Sequence, residues 1–569
     1  MEDWIKDDLQ SPSGLAAALR PLVSDPAAWL ISRTDIEKAI RNTTKSAPGP
    51  DGIPYAAWRA LGPLAVDALH QAAQTLEGSE GLAQLGDAFP LNGDMRSDFN
   101  AAIMVFVPKA APLRSEAGVS YTTANDLRPL SKVNIDSRLL ASALCIRIEP
   151  LLERVLSDMQ QGFLPGRSPL RNVVDVDARM REAAMECEDP AAIFFDFQAA
   201  FPSLSHTFLL RSLVGLGSPP SVCRFVECLY WGHGCVLAGP GGHQPGFVIS
   251  AGIRQGCPIS PLLFAVIMEP LLRRSQRALP MGMFRAYADD LAAVIDDLPA
   301  ALSILVPLFQ AFARASGLQL NFRKVVVVPL GSSAPGDISR TFLRPIPSWC
   351  AVECRGWAKY LGFILGPDRA ERTWDQACSK ALQRARLWRD AGLGLQWSAL
   401  VYQVYVASVL GFLLQLDRLP SHWESTEASL LRALVPGPYR WCLPADLHGL
   451  HRDFGFAREF PDLRMTSIAA RLRVLRNEAV AQGGLPVRFW LQRLAAAGQR
   501  SPHLARLVRW RLWHSSSFCH YLASAAHELA GAGVTVQEVR MRAAQANCLP
   551  LTVSKCSTGA SGRSGLLWN

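Results

Sequence analysis

Two short stretches of this sequence place carboxylates where carboxylates are hard to keep. Phe194-Phe195-Asp196-Phe197 puts one at the end of an apolar run of strand length. Tyr287-Ala288-Asp289-Asp290 puts two side by side, with Phe284 before them and the apolar run 291–295 behind. Apolar runs about a short polar pair predict a β-hairpin. Two carboxylates about 4 Å apart repel by roughly 4 kcal/mol at an effective dielectric near 20, so three converging ones are stable only around cations. Two Mg²⁺ ions, with Mn²⁺ as an alternative, would satisfy them, since such hard cations take oxygen ligands. An isolated Asp-Asp pair is an ordinary polar turn, so this pair takes its meaning from what surrounds it.

The elements that would position these groups follow from the hydrophobic pattern. Runs at 101–107, 191–197, 284–295 and 325–330 predict strands, and 138–156, 260–272 and 302–316 predict helices, a mixed α/β pattern from about residue 61 to about 365. The Gly/Pro loop KSAPGPDGIP at 45–54 leads into a helical stretch at 55–61. Beyond Gly366 the pattern turns to Leu/Ala/Arg/Trp helices at 370–393, 398–416, 460–480 and 486–513, a separate helical part. The tail 554–569 is rich in Ser and Gly and reads as frayed.

At 569 residues the chain should form several subdomains, each with its own core. With 49% hydrophobic and 19% charged residues, disorder is excluded as its main character. Lys and Arg number 58 against 49 Asp and Glu, a net +9, the sign expected of a protein that handles a polyanion. Thirteen scattered cysteines and an acidic start without a hydrophobic signal stretch imply reduced thiols inside the cell. The uncharged run 400–416 is marginal in length for a membrane span and reads as a buried helix, so neither a membrane segment nor a signal peptide is expected.

The carboxylates belong to a series: KSAPGPDGIP at 45–54, LRPLSKVNIDSRLLASAL at 127–144, QQGFLPGR at 160–167, FFDFQAAFPSLSH at 194–206, GIRQGCPISPLLF at 252–264, YADD at 287–290, SGLQLNFRK at 316–324 and KYLGFIL at 359–365. In this order and spacing the series resembles the reverse transcriptases of non-LTR (LINE-like) retrotransposons, over roughly residues 35–420. The resemblance implies an α+β right-hand polymerase with fingers, a palm built on an antiparallel sheet, and a helical thumb. It places an N-terminal lead at 1–34, fingers at 35–185, palm at 186–366, thumb at 367–480, and a helical C-terminal extension with a frayed tail at 481–569. The activity implied is RNA-directed DNA polymerisation. Its partners are an RNA template, a DNA primer and dNTPs, and the nucleus is favoured over the cytoplasm as its place.

The resemblance also assigns roles. Asp196 and Asp289, helped by Asp290 and the backbone carbonyl of Phe197, would hold the two metals. Phe201, five residues after Asp196, would press on the sugar and exclude a 2′-hydroxyl; alternatively it is a core residue. Gln255 and Gly256 would approach the incoming nucleotide, where a glycine permits close backbone contact. Arg128 resembles the family's triphosphate-gripping arginine, with Lys109 as helper, unless it is a structural ion-pair partner. Lys324 falls in the block that supplies a general acid for pyrophosphate departure, or is a plain surface lysine. Cys257 reads as a packed thiol rather than a nucleophile, since no histidine partner is apparent.

Pro202 departs from the family, which has an acidic residue after the aromatic. About forty residues precede the fingers, too few for the apurinic-type endonuclease of such elements, so that activity is expected outside this chain. Cys442, His448, His451, Cys519, His520, Cys548 and Cys556 lack the tight spacing of a zinc knuckle. No ribonuclease H carboxylate series follows residue 420. The Arg- and Trp-bearing stretch 430–515 reads either as a grip on template and primer or as an extension with solvated arginines. Two other functions fit less well: an RNA-dependent RNA polymerase, whose hairpin usually begins Gly-Asp-Asp, and a decayed or domesticated element fragment that binds RNA without copying it.

Overall fold

The computed structural model describes residues 25–43, 46–85, 99–109, 113–114, 120–123, 126–239, 242–438, 441–480, 486–500 and 517–531. Most of the expected lead, Lys45, residues 501–513 of the last expected helix, Cys548, Cys556 and the tail 554–569 lie outside the described residues.

The strands are β1 (Ala102–Pro108), β2 (Leu113–Arg114), β3 (Ser120–Tyr121), β4 (Leu127–Val133), β5 (Ala191–Phe195), β6 (Gly234–Gly239), β7 (Gly242–Val248), β8 (Met283–Tyr287), β9 (Asp290–Ile295), β10 (Val326–Pro329), β11 (Glu353–Cys354), β12 (Ala358–Tyr360) and β13 (Phe363–Leu365). They form a five-stranded sheet in the order β11-β10-β5-β9-β8, a four-stranded sheet in the order β4-β1-β6-β7, and the ribbons β2-β3 and β12-β13. With the helices around them this is the expected α+β class. In the five-stranded sheet every pairing is antiparallel except β10 with β11. The ribbon β6-β7 joins β1, so the four-stranded sheet draws on both sides of the expected 185/186 boundary.

The five-stranded sheet is apolar on both faces, and the period of two shows it. Ala191, Ile193 and Phe195 of β5, with Leu291, Ala293 and Ile295 of β9, enter one core; Ala192, Phe194, Ala292 and Val294 enter the other. The first core is filled by helices Ile135–Glu153, Ser260–Ala278 and Leu298–Ser316. Among the described residues one helix, Leu298–Ser316, is long and apolar enough to cross a membrane. Its Phe309 stacks on Phe195 at 4.6 Å between ring centroids and its Phe312 is fully buried, the packing of a core helix. The run 398–416, expected as one helix, is instead a succession of Gly394–Val401, a π-helical Tyr402–Ala407, Ser408–Leu410 and a 3₁₀ turn at Leu413–Gln415.

The second core is covered by helix Pro169–Glu186, which is buried along nearly its whole length although it carries Asp175, Asp177, Arg179, Arg181 and Glu182. Buried charges must be paired. Arg181 grips Asp177 through two hydrogen bonds of 2.9 Å. Arg285 of β8 pairs with Asp175 at 2.9 Å and Arg179 with Asp296 beyond β9, and further partners come from helices Val487–Arg500 and Phe518–Gly531: Trp490 Nε1 donates to Asp175 at 2.8 Å, Arg493 pairs with Glu182, Arg500 pairs with Glu186 at 2.6 Å, and the Phe518 amide donates to Asp177 at 3.4 Å. Trp490 is buried against Asp175, while Arg493 and Arg500 pair with Glu182 and Glu186 yet keep 47% and 68% of their side chains exposed, as the reading of an extension with solvated arginines expects.

Candidate active site

β5 stops where its apolar run stops, and Asp196 is the next residue, its side chain about 35% exposed. β8 and β9 pair Tyr287 with Asp290, leaving Ala288 and Asp289 as a two-residue turn. Ala288 takes the left-handed conformation, φ 57°, which suits a tight hairpin but strains an alanine. β5 and β9 pair Phe195 with Leu291, and one further step of that register sets Asp196 opposite Asp290. The sheet thus brings all three carboxylates to one edge.

Their electrostatics follow from that placement. Asp290 is reached by solvent but crowded by protein, and its carboxyl is pushed up to about 6, first by lost solvation and then by the charges of Asp289 and Asp196. Burial likewise raises Asp289, with Asp196 adding to the effect. Lys324 draws both down and lies 3.6 Å from Asp196. Among the described residues no three His, Cys, Asp or Glu side chains close on a single point as they stand. Three mutually repelling oxygen donors at one edge, countered by one exposed lysine, nevertheless make a donor set that suits a hard divalent cation.

The Asp196 loop is fastened on its far side by the block 316–324. Phe197 bridges Leu320, the Gln198 amide donates to the Gln319 carbonyl at 2.8 Å, and the Asn321 amide donates to the Asp196 carbonyl at 2.8 Å. Gly317, at φ 83°, packs so closely on Ser203 that a Cβ would strike its carbonyl. These contacts set Lys324 beside Asp196.

The hairpin tip has a support that the sequence reading did not assign. The buried Gln160 accepts from the Ala288 amide at 3.0 Å and from the Gly162 amide at 2.9 Å, and its Nε2 donates to the Ala288 carbonyl at 3.4 Å. Residues 159–161 run beside β8, with the Ala286 amide donating to the Met159 carbonyl and the Gln161 amide to the Ala286 carbonyl, both at 2.8 Å. A Cβ on Gly162 would collide with the Ala288 amide nitrogen. Behind the tip, Asn172 donates to the Ala286 carbonyl at 2.9 Å, Tyr360 donates to the Arg285 carbonyl at 3.1 Å, and Arg285 pairs with Asp175 at 2.9 Å. QQGFLPGR is thus a bracket for the carboxylate turn. Only the glycine next to a glutamine hinted at it.

Phe201 is half-buried and lies flat on Phe264, ring centroids 4.9 Å apart at 10°. The loop of Gln255 and Gly256 is drawn to the same turn: the Gly252 amide donates to the Leu204 carbonyl at 2.7 Å, and the Ile253 amide to the Phe201 carbonyl at 2.8 Å. Arg254 is buried and donates to Asn100 at 2.8 Å and to the Leu229 carbonyl, which anchors the loop. The Ser131 amide on β4 donates to the Gln255 carbonyl at 3.1 Å, and Gly256, at φ 110°, packs near Ser131. Arg128 is exposed on β4 and forms no ion pair among the described residues, so the structural alternative finds no partner there. Lys109 follows β1 on the same sheet, its amide donating to the Asp126 carbonyl at 2.8 Å. Cys257 is buried, as a packed thiol should be. The carboxylates, Lys324, Phe201 and the 252–256 loop form one connected unit, while Lys109 and Arg128 join it only through β4.

A sequence profile described as Reverse transcriptase (RNA-dependent DNA polymerase) matches residues 107–365. The chain is 28% identical over 297 residues to the Retrovirus-related Pol polyprotein from type-2 retrotransposable element R2DM of Drosophila melanogaster, covering 51% of this chain and 26% of that one. It is 24% identical over 395 residues to the Transposon TX1 uncharacterized 149 kDa protein of Xenopus laevis, covering 64% and 29%. It is 26% identical over 357 residues to the Retrovirus-related Pol polyprotein from type-1 retrotransposable element R2 of Popillia japonica, covering 60% and 46%. The match spans less than half the length of each of these relatives. Among solved structures, an apo telomerase from Candida tropicalis truncated from its C-terminal domain overlays with a TM-score of 0.35 and 11% identity, over 47% of this chain and 53% of that one, a likeness too slight to bear on the fold.

Proposed function

We infer, taking as premise that residues 107–365 are a reverse transcriptase domain of the non-LTR retrotransposon kind, that the chain copies an RNA template into DNA from a DNA primer with dNTPs. The observation that carries this is the convergence of Asp196, Asp289 and Asp290 at one sheet edge. Reverse transcriptases depend on a divalent metal. The three carboxylates and the Phe197 carbonyl would hold it, as two Mg²⁺ ions, which supply activation of the primer 3′-hydroxyl and neutralise charge at the α-phosphate.

The chain's own residues do the rest. Arg128 and Lys109 balance the triphosphate from the four-stranded sheet, Gln255 and Gly256 approach the nucleotide along their backbone, and Phe201 presents its free side to the sugar. Lys324, 3.6 Å from Asp196, is placed to give a proton to the departing pyrophosphate. Fingers at 35–185, palm at 186–366, thumb at 367–480 and a rear extension at 481–569 divide the labour. Copying onto a DNA primer belongs in the nucleus.

Primer extension by the purified chain on a homopolymer RNA template, with Mg²⁺ and either dNTPs or NTPs, tests the reading. Extension with dNTPs is expected, and Asp289→Asn should abolish it while leaving the melting temperature and RNA affinity nearly unchanged. Extension by Asp289→Asn at the wild-type rate would falsify the site, and a preference for NTPs would replace the activity with RNA synthesis.

A further inference from the structure

Phe163 stands in the middle of the bracket that holds the carboxylate turn, and its neighbours leave its ring little choice of direction. Gly162 is wedged against the Ala288 amide, Leu164 is buried in the first core, and Arg167 donates to the Gln160 carbonyl at 2.6 Å and to the Ser157 carbonyl at 2.5 Å. Between these fixed points Phe163 takes the left-handed conformation, φ 64°, and is left 40% exposed. That backbone strains a residue with a bulky side chain, and an apolar ring in water forgoes its burial. A glycine would avoid both penalties. Strain held this close to a set of reacting groups points to a use for the ring.

The ring has a companion. It lies 6.2 Å from the ring of Tyr287, centroid to centroid, at an angle of 39°. Tyr287 is half-buried and directly precedes the turn of Ala288 and Asp289. Two partly open rings inclined to one another make a shelf for a flat partner, and a nucleic-acid base is such a partner whatever its sequence.

Position decides which base. In the sheet order β11-β10-β5-β9-β8, Phe201 and the 252–256 loop join at the β5 side through the Asp196 turn. Tyr287 and the 159–163 segment stand at the β8 edge. The carboxylates lie between the two groups. In-line transfer sets the attacking and leaving oxygens on opposite sides of the reacting phosphorus. With the incoming nucleotide on the β5 side, the primer end comes to the β8 side.

We propose that Phe163, with Tyr287, forms a stacking shelf for the last nucleotide of the primer and so sets its 3′-hydroxyl against the carboxylates. This assignment rests on the polymerase reading above and adds a substrate-binding residue to it. Phe163→Gly is the informative variant, because glycine keeps the left-handed backbone without strain and removes only the ring. Phe163→Tyr keeps the ring and is the rescue.

The full chain is titrated with a DNA primer on an RNA template, with 2-aminopurine as the last primer base or, in a second duplex, as the template base that faces the incoming nucleotide. Stacking quenches this fluorophore. The wild type and Phe163→Tyr should quench the primer probe, and Phe163→Gly should not. In primer extension Phe163→Gly should raise KM for the primer–template roughly five- to a hundredfold, the range of one aromatic stack, and leave KM for dNTP and the melting temperature near the wild type. If the template probe responds to Phe163→Gly and the primer probe does not, the shelf belongs to the template and the proposal is overturned. It is also overturned if Phe163→Gly binds and extends primer like the wild type, or if its only effect is a lower melting temperature, since the ring then merely packs. A wild type that extends primer with the probe unquenched sinks the shelf alone; one that neither binds nor extends sinks the polymerase reading and the shelf with it.

Discussion

Phe201 has one face against Phe264 and is only half-buried, so its other side is available to a substrate. If the triphosphate sits by Asp196, the sugar lies near this ring and size decides which sugar fits. Phe201→Ala or Phe201→Val should admit ribonucleotides at some loss of deoxynucleotide efficiency. A relieved clash is worth about 1–3 kcal/mol, so the dNTP-over-rNTP ratio of kcat/KM should fall roughly ten- to two-hundredfold. An unchanged ratio with activity retained would make Phe201 a core residue. Asp290 gives a second residue-scale expectation, because its raised carboxyl reports repulsion from Asp289 and Asp196. Asp290→Asn removes one charge and should raise the metal-free melting temperature by about 1 °C, the size expected from about 1 kcal/mol in a chain of 569 residues. Adding Mg²⁺ should stabilise the wild type more than this variant, and a metal response equal in both would deny Asp290 a share in the ion.

At the scale of elements, the hairpin β8-β9 depends on a bracket supplied by residues 159–162. Gln160→Ala removes the acceptor of the Ala288 amide, leaving a strained left-handed residue without support. Hydrogen exchange of the peptide 284–291 should speed up and extension should fall at least about tenfold, with Gln160→Glu intermediate because it keeps the acceptor and loses the donor. Wild-type exchange in Gln160→Ala would remove the bracket from the account. The sequence made β5 and the hairpin legible because their apolar runs end on carboxylates, and Ile135–Glu153, Ser260–Ala278 and Leu298–Ser316 legible because they are long and apolar. Helix Pro169–Glu186 was hidden. Its buried charges look like a solvated face until partners arrive from about 310 residues away. The strands β6 and β7 were hidden for another reason, since their glycines, His243 and Pro245 break any apolar alternation. Among site residues, those with chemistry of their own were readable, whereas Gln160 and Gly162 act through backbone contacts that no composition announces.

The whole molecule carries a net charge of +9, so the hold on a primer–template duplex that the proposed function requires should be ionic. Binding should tolerate sequence and lose affinity steeply between 50 and 200 mM salt, with log affinity falling linearly in log salt as counterions are released. A flat response would argue against a backbone grip. The rear of the catalytic sheet adds a constraint in time. A ribosome makes this chain from the N-terminus, and Asp175, Asp177, Glu182 and Glu186 emerge some three hundred residues before Trp490, Arg493, Arg500 and Phe518 can reach them. At about 5–20 residues per second, that interval is tens of seconds in which Asp175, Asp177 and Glu182 have only their nearer partners Arg285, Arg181 and Arg179, and the sheet lacks the cover of the two late helices. The rear of the sheet would therefore gain its full set of partners only once residues 487–531 have left the ribosome, so that the carboxylate edge is backed last by the part of the chain made latest.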